Sequence, residues 1–447
     1  MADTPHRNGL DNVALREADT EAPRQDVVRR GGTFESFRHR DYSLFWSGAL
    51  VSNVGTWMQN YALAIVVYAF RRSQTDLGIM NFAMGIPVLF LAIYAGSLAD
   101  RVDRKRLIIA TQAILLVQAA ALGYLYVTGQ LSSRTPLLSL TYVVVLVLVN
   151  GVMSALAFPS WQSILPDLVP RESLLNAIAL NAAQFQSARL VGPLIAGALV
   201  LAGSGMGDIF FVNAASFLFV IAALWVVRPR KMEHHAKDES AWERITAGLR
   251  YARENRVVGI IILSTAILTI FAMPYMMLLP AFVDRTLGFH ADAEIKRVVA
   301  YVMAANGLGA VVGALIIASL PKHVRRENLL RYTMLAMAVL LLAFAASRWL
   351  PVTLVLSALA GAAFITTTSL LNTSVQQTVP NRLRGRVMAL FVMAFIGIMP
   401  LSAAAFGPIG QVVGPGNAIG GAAAVLLLWV IVLFARPGLL LPEHRKA

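Results

Sequence analysis

Twelve runs of apolar residues, each long enough to cross a lipid bilayer as a helix, constrain this chain more than any other feature of its sequence. About 20 helical residues cross about 30 Å of hydrocarbon. The runs are 43–70, 76–99, 105–127, 137–158, 174–202, 207–227, 257–283, 298–320, 328–347, 351–373, 387–411 and 416–435. A backbone in lipid must satisfy its own hydrogen bonds, so runs of this length are helices. The expected fold is an all-α membrane protein with twelve transmembrane helices. Composition agrees: 57% of residues are apolar and 14% charged, against about 45–50% and about 25% in soluble domains. The polar segment 228–256 divides the spans six and six. This predicts a disordered cytoplasmic tail (1–34), an N-terminal six-helix half (35–227), a cytoplasmic linker (228–256), a C-terminal six-helix half (257–436) and a short cytoplasmic tail (437–447). The connectors 159–173 and 374–386 are amphipathic and are expected to lie on the membrane surface.

The net charge of +14 raises the question of nucleic acid. The distribution of the charge argues against it. With both termini placed in the cytoplasm, the cytoplasmic segments hold 30 of the 38 Lys and Arg residues and the outward ones seven; Arg189 lies inside span 5. A bias of this size sets topology. Cysteine is absent, which excludes disulfides, thiolate metal sites and thiol catalysis. All seven histidines fall in tails or connecting segments, so no intramembrane metal cluster is expected.

The halves echo one another weakly. Val169-Pro170-Arg171 follows span 4, and Val379-Pro380-Asn381-Arg382 follows span 10 at an offset of 210 residues, which makes duplication plausible. A stronger signal is Gly96-Ser97-Leu98-Ala99-Asp100-Arg101-Val102-Asp103-Arg104-Lys105-Arg106, between spans 2 and 3. Here the chain resembles the major facilitator superfamily, whose members carry a Gly-x-Leu-Ala-Asp-Arg loop at this point. Asp103 stands where glycine is commonest in the family. The resemblance implies a gating role for Gly96, Asp100, Arg101 and Arg104, with Arg386 at the start of span 11 as the facing group. In span 5, Arg189-Leu190-Val191-Gly192-Pro193-Leu194-Ile195-Ala196-Gly197 is similar to the antiporter motif of family exporters, with Gly192, Pro193 and Gly197 in register and Ala196 replacing a glycine. The stretches Arg40-Asp41-Tyr42-Ser43-Leu44-Phe45-Trp46 and Asn53-Val54-Gly55-Thr56-Trp57-Met58-Gln59 resemble a bacterial exporter branch that includes siderophore exporters and drug efflux pumps.

Polar residues recur inside the spans: Asn53, Trp57 and Asn60 in span 1, Asn150 in span 4, Asn181 and Gln184 in span 5, Thr265 in span 7, Asn306 in span 8, Thr366 and Ser369 in span 10. Spacings of three and four put the members of one span on one face. The family resemblance implies that spans 1, 4, 7 and 10 line a central cavity; interhelical hydrogen bonding is the alternative use for the same side chains. Arg189, mid-span, must face a cavity, a partner or a substrate, or be tied to neighbouring carbonyls and amides. All 24 Asp and Glu lie in tails, loops or span ends, so proton coupling rests on the resemblance alone.

The expected function is export of a siderophore, drug or secondary metabolite by alternating access with proton antiport, across a bacterial inner membrane, by a monomer without a bound cofactor. Its partners are a small-molecule substrate and the lipid bilayer. An uptake permease of the same fold is the first alternative. An intramembrane lipid-modifying enzyme is the second, and it lacks the His, Cys or carboxylate constellation such chemistry needs.

Overall fold

The computed structural model describes residues 34–228, 241–319 and 326–439. The expected tail over 1–34 and the end of the chain from 440 lie essentially outside the described residues. The N-terminal half holds α1 (Arg40–Arg71), α2 (Gln74–Arg101), α3 (Arg104–Val127), α4 (Pro136–Leu168), α5 (Leu174–Leu201) and α6 (Met206–Val226). A linker helix, α7 (Ala241–Glu254), leads to α8 (Arg256–Ala272), α9 (Pro274–Met277) and α10 (Leu279–Arg285), which form one broken path. Then follow α11 (Asp292–Ser319), α12 (Arg326–Ala346), α13 (Leu350–Thr378), α14 (Asn381–Val392), α15 (Met399–Val413) and α16 (Pro415–Ala435). A π-helical turn, Met393–Gly397, joins α14 to α15 in a single path.

Among the described residues, eleven helical paths are long and apolar enough to cross a membrane. The twelfth, α1, has the length, at 32 residues, but Asn53, Thr56, Gln59 and Asn60 dilute its hydropathy. Those groups have uses. Asn213 of α6 donates to Gln59 Oε1 at 2.8 Å, and Gly55 sits so close to α6 that a Cβ there would meet Ser216 Oγ at 2.4 Å. Polar α1 residues thus bond across helices in place of apolar packing.

The packing repeats. In the first half α1 packs on α6, α3 on α6 and α2 on α4; in the second, α8 packs on α16, α12 on α16 and α11 on α13. Glycines set the closest approaches. Gly151 of α4 lies against the Met84 carbonyl, and Gly309 of α11 against the Ala358 carbonyl, where a Cβ would come within 2.3 Å and 1.7 Å. The Val-Pro pairs mark matched breaks: α4 ends at Leu168 and α13 at Thr378, each followed by an extended Val and Pro.

The connectors differ from expectation. Residues 159–168 and 374–378 continue α4 and α13, with Pro159 and Pro166 inside the helix. They extend the spans and do not lie flat on a surface. The linker is more than a tether, because α7 docks on α14, with Gly248 so near the Arg386 carbonyl that a Cβ would approach to 2.7 Å.

The halves meet along two helix pairs. One is α2 with α15, where Gly78 lies against the Ala403 carbonyl and Gly407, and Gly85 against Pro400. The other is α5 with α11, where Gly307 lies against Leu190 and Gly197 against Ala300.

Candidate transport cavity and gates

Arg189 sits mid-way along α5, on the α5–α11 side of the interface. Its guanidinium carbon lies 5.6 Å from the ring centre of Trp57 in the N-terminal half and 5.7 Å from that of Phe364 in the C-terminal half. Phe185, one turn before Arg189, packs edge-on against Trp57 at 6.0 Å. The antiporter-like motif holds this geometry. A Cβ on Gly192 would come within 2.5 Å of Trp57 Cβ and 2.9 Å of the Val54 carbonyl, so only glycine lets α1 bring Trp57 this close. Pro193 follows inside the same helix. Arg189 is deep in the molecule yet keeps part of its surface accessible.

The other polar span residues divide by what they touch. Asn53, Trp57 and Asn60 share one face of α1 and are only partly buried; the buried Asn60 Oδ1 accepts no hydrogen bond among the described residues. Asn181 is also partly exposed, and Gln184 is buried with its amide reaching the Trp46 carbonyl at 3.4 Å. Asn150 is buried in α4. In the C-terminal half, Asn306 donates to Tyr275 Oη at 2.6 Å and to the Ser357 carbonyl at 3.1 Å. Thr265 bonds back to the Ile261 carbonyl at 2.8 Å within its own helix. Thr366 reaches the Gly313 carbonyl at 3.5 Å, and Ser369 lies partly buried one turn along α13. Asn306 and Thr265 are therefore engaged in ties inside their half, while the α1 face and Arg189 keep accessible surface.

At the end of the molecule where α1 begins, α2 runs through Gly96 and Asp100 to Arg101, whose side chains lie outside the described residues. Asp103, in the place of the common glycine, caps α3 by accepting from the Arg106 amide at 2.9 Å. Arg104 pairs with Asp167 at 3.2 Å and bonds the Ser163 carbonyl, tying the loop to α4 in its own half. Arg386 lies partly buried on α14, beside α7. The aromatic run at the start of α1 has a structural use here: Tyr42 donates to the Ala177 carbonyl at 2.9 Å and Trp46 to the Leu180 carbonyl at 3.0 Å, clamping α1 to α5. A surface pocket of about 330 Å³, lined by Arg38, His39, Arg40, Asp41, Asp167, Leu168 and Arg228, lies within this half and away from Arg189.

The opposite end carries a polar clasp that sequence reasoning missed. Arg72, in the two-residue turn between α1 and α2, pairs with Asp284 at 3.4 Å and with Asp292, and donates to the His290 carbonyl at 3.3 Å. Tyr68 donates to Asp284 at 2.7 Å, Arg285 to the Arg72 carbonyl at 2.9 Å, and Tyr61 to the Lys296 carbonyl at 2.5 Å. Each of these bonds joins the N-terminal half to the C-terminal half. His290 Nδ1 lies 2.7 Å from the other oxygen of Asp284. Burial pushes the Asp284 carboxyl up, but the hydrogen bonds from His290 and Tyr68 and the charge of Arg72 together hold it below its ordinary value. A visible signal existed in the sequence: Arg71-Arg72 and Asp284-Arg285 are charges at span ends on the sparsely charged side.

Residues 31–444 match the sequence profile of the transmembrane secretion effectors, a branch of the major facilitator superfamily. The chain belongs to this family. As a secretion effector of the major facilitator type it is a multi-pass membrane protein and a transporter of small molecules, not an enzyme. It is 24% identical to the multidrug efflux pump Tap of Mycolicibacterium fortuitum over 370 residues, 81% of this chain and 86% of that one. It is 23% identical to the enterobactin exporter EntS of Escherichia coli over 400 residues, 88% and 91% of the two chains. It is 23% identical to the staphyloferrin A transporter of Staphylococcus aureus over 285 residues, 64% and 68% of the two. Among solved structures, the bacterial homologue of the iron transporter ferroportin, in its inward-facing state, superposes with a TM-score of 0.68 at 15% identity, covering 88% of this chain and 98% of that one. The nucleoside transporter NupG gives 0.66 at 14% identity, with 88% and 98% covered. These likenesses carry the fold: two six-helix halves around a central axis.

Proposed function

We propose that this secretion effector exports a siderophore, drug or secondary metabolite from a bacterial cell by alternating access, exchanging its cargo for protons. Both termini face the cytoplasm, following the distribution of Lys and Arg, so the clasp of Arg72, Asp284 and Asp292 closes the outward end. On this reading the conformation is inward-directed. The observation that carries the reading is the placement of Arg189 and Trp57, partly accessible between two halves that are fastened at the outer end. Export as the direction draws on the relatives named as exporters and on the Gly192-Pro193 motif that seats Trp57. Asp100 and Arg101, at the inner end of α2, are proposed to meet α14 near Arg386 when the inner side closes.

Everted membrane vesicles test this. Energised to an acid interior, they should accumulate a siderophore or an efflux dye in amounts that track the protein, and collapsing the pH gradient should abolish the accumulation. Accumulation by intact cells in place of everted vesicles would make the protein an uptake permease. Accumulation that survives collapse of the gradient would rule out proton exchange.

A further inference from the structure

Arg189 carries five N–H donors and no acceptor. Among the described residues none of those donors finds a hydrogen-bonding or ion-pairing partner; the guanidinium is met only by aromatic rings. Rings attract the charge through their faces and accept none of the in-plane N–H groups. A cation at this depth, without a carboxylate, is costly to keep, and every Asp and Glu of the chain lies in a tail, a loop or a helix end. The neighbours add donors. The Trp57 indole N–H has no acceptor among the described residues. Tyr275 is an electrostatic neighbour of Arg189 and takes an N–H from Asn306 on its oxygen, which leaves its own proton to donate. Among the described residues, the buried Asn60 oxygen, a turn away from Trp57, is an unmatched acceptor on the α1 face. The partly accessible Arg189 thus carries a positive charge and unpaired donors between two aromatic rings, one from each half.

We propose that Arg189 is the anion-binding centre of the transport cavity, and that the cargo carries a carboxylate or similar oxyanion beside an aromatic ring. The oxyanion takes the paired N–H groups of the guanidinium, whose fork matches it. The cargo's ring stacks on the partly accessible Trp57. Cationic compounds meet an uncompensated positive charge and are disfavoured. Because Arg189 lies between Trp57 of one half and Phe364 of the other, cargo bound to it sits where the two halves meet. This assignment of cargo class rests on the exporter reading, but the site itself is testable without transport.

The test is direct binding to the purified full-length protein in detergent, by isothermal titration, with 2-naphthoate and its uncharged isostere 2-naphthamide. Wild type should bind the naphthoate at least tenfold more tightly. Arg189→Gln should bring the ratio of the two affinities close to one, and Arg189→Lys should keep part of the preference because the charge survives. Equal affinity of wild type for the two probes, or no binding of either at millimolar concentration, overturns the proposal whether or not the variants fold. So does an Arg189→Gln protein that keeps the wild-type ratio. Vesicle transport separates the two readings. Preferential naphthoate binding without outward transport counts against export and leaves the anion site standing. Outward transport with no anion preference in binding removes the site and leaves export standing.

Discussion

Arg72→Ala should unfasten the outer end. Every partner of the Arg72 side chain apart from the Tyr68 ring lies in the opposite half, so each contact breaks when the halves part. The pair with Asp292 is exposed and contributes about 0–1 kcal/mol. The contact with Asp284 is sheltered, the carboxylate side chain being 11% accessible. It is an ion pair at 3.4 Å without a hydrogen bond, and Arg72 is one-third exposed, so it contributes about 1 kcal/mol at most; the hydrogen bond from Arg72 to the His290 carbonyl, at 3.3 Å from a partly exposed guanidinium, adds about 1 kcal/mol. A total of about 2 kcal/mol corresponds to about a 30-fold shift between closed and open states, since each 1.4 kcal/mol is tenfold. The backbone does not contribute to the difference: Arg72 is left-handed, at φ 53°, and alanine bears the same strain. The absence of cysteine supplies the assay. Ala300, 3% accessible and packed on Gly197 across the interface, becomes a single reporter as Ala300→Cys. Its rate of modification by a membrane-impermeant thiol reagent added outside should rise about 30-fold in the Arg72→Ala background. An unchanged rate, with the reporter still reactive after detergent unfolding, would refute the clasp as the element that holds the outer end shut.

Acid should not open this clasp in the neutral range. The Asp284 carboxyl is held below its ordinary value, so its contribution to closure is fully present above that value and is lost only as pH falls through the depressed one; Ala300→Cys modification, corrected for thiol ionisation, should be flat across neutral pH and raised throughout that range by Asp284→Asn. Gly309→Ala should be among the most damaging glycine changes, because its methyl would lie 1.7 Å from the Ala358 carbonyl, whereas Gly421→Ala meets nothing within 4 Å and should leave the thermal midpoint unchanged. Overpacking of the Gly309 kind costs about 1–3 kcal/mol or more, read as a lower midpoint in a thermal-shift assay. Arg104→Gln should lower the same midpoint by breaking the largely buried pair with Asp167, at a cost of about 1.5–3 kcal/mol; Asp167→Asn added to it should cost less than the sum of the two single changes.

The membrane class, the six-and-six division and the matched Val-Pro breaks were legible because hydrocarbon permits so few backbone solutions that length and polarity decide them. The connectors after spans 4 and 10 misled for a physical reason. Pro159, Gln162, Pro166 and Asp167 read as a surface segment when weighed by composition, yet a helix leaving the membrane keeps its own hydrogen bonds and has no cause to stop. The break in span 7 at Pro274 and Pro280 and the π-turn before Pro400 are local choices among several that proline allows. The site was legible in kind and not in pairing. Asn306 and Arg189 look alike in sequence, as polar groups in apolar helices. The structure separates them by partners: Asn306 finds the Tyr275 hydroxyl and the Ser357 carbonyl, while Arg189 finds two ring faces and no acceptor. Such a distinction depends on residues far apart along the chain, Trp57 before it and Phe364 after it. The same holds at the outer clasp, where Arg72 needs Asp284 and Asp292 from the other half. If the two halves move as proposed, the polar groups satisfied within one half maintain that half, those satisfied only across the interface report the state of the gate, and Arg189, left without an acceptor between the halves, is the proposed place for cargo to supply one.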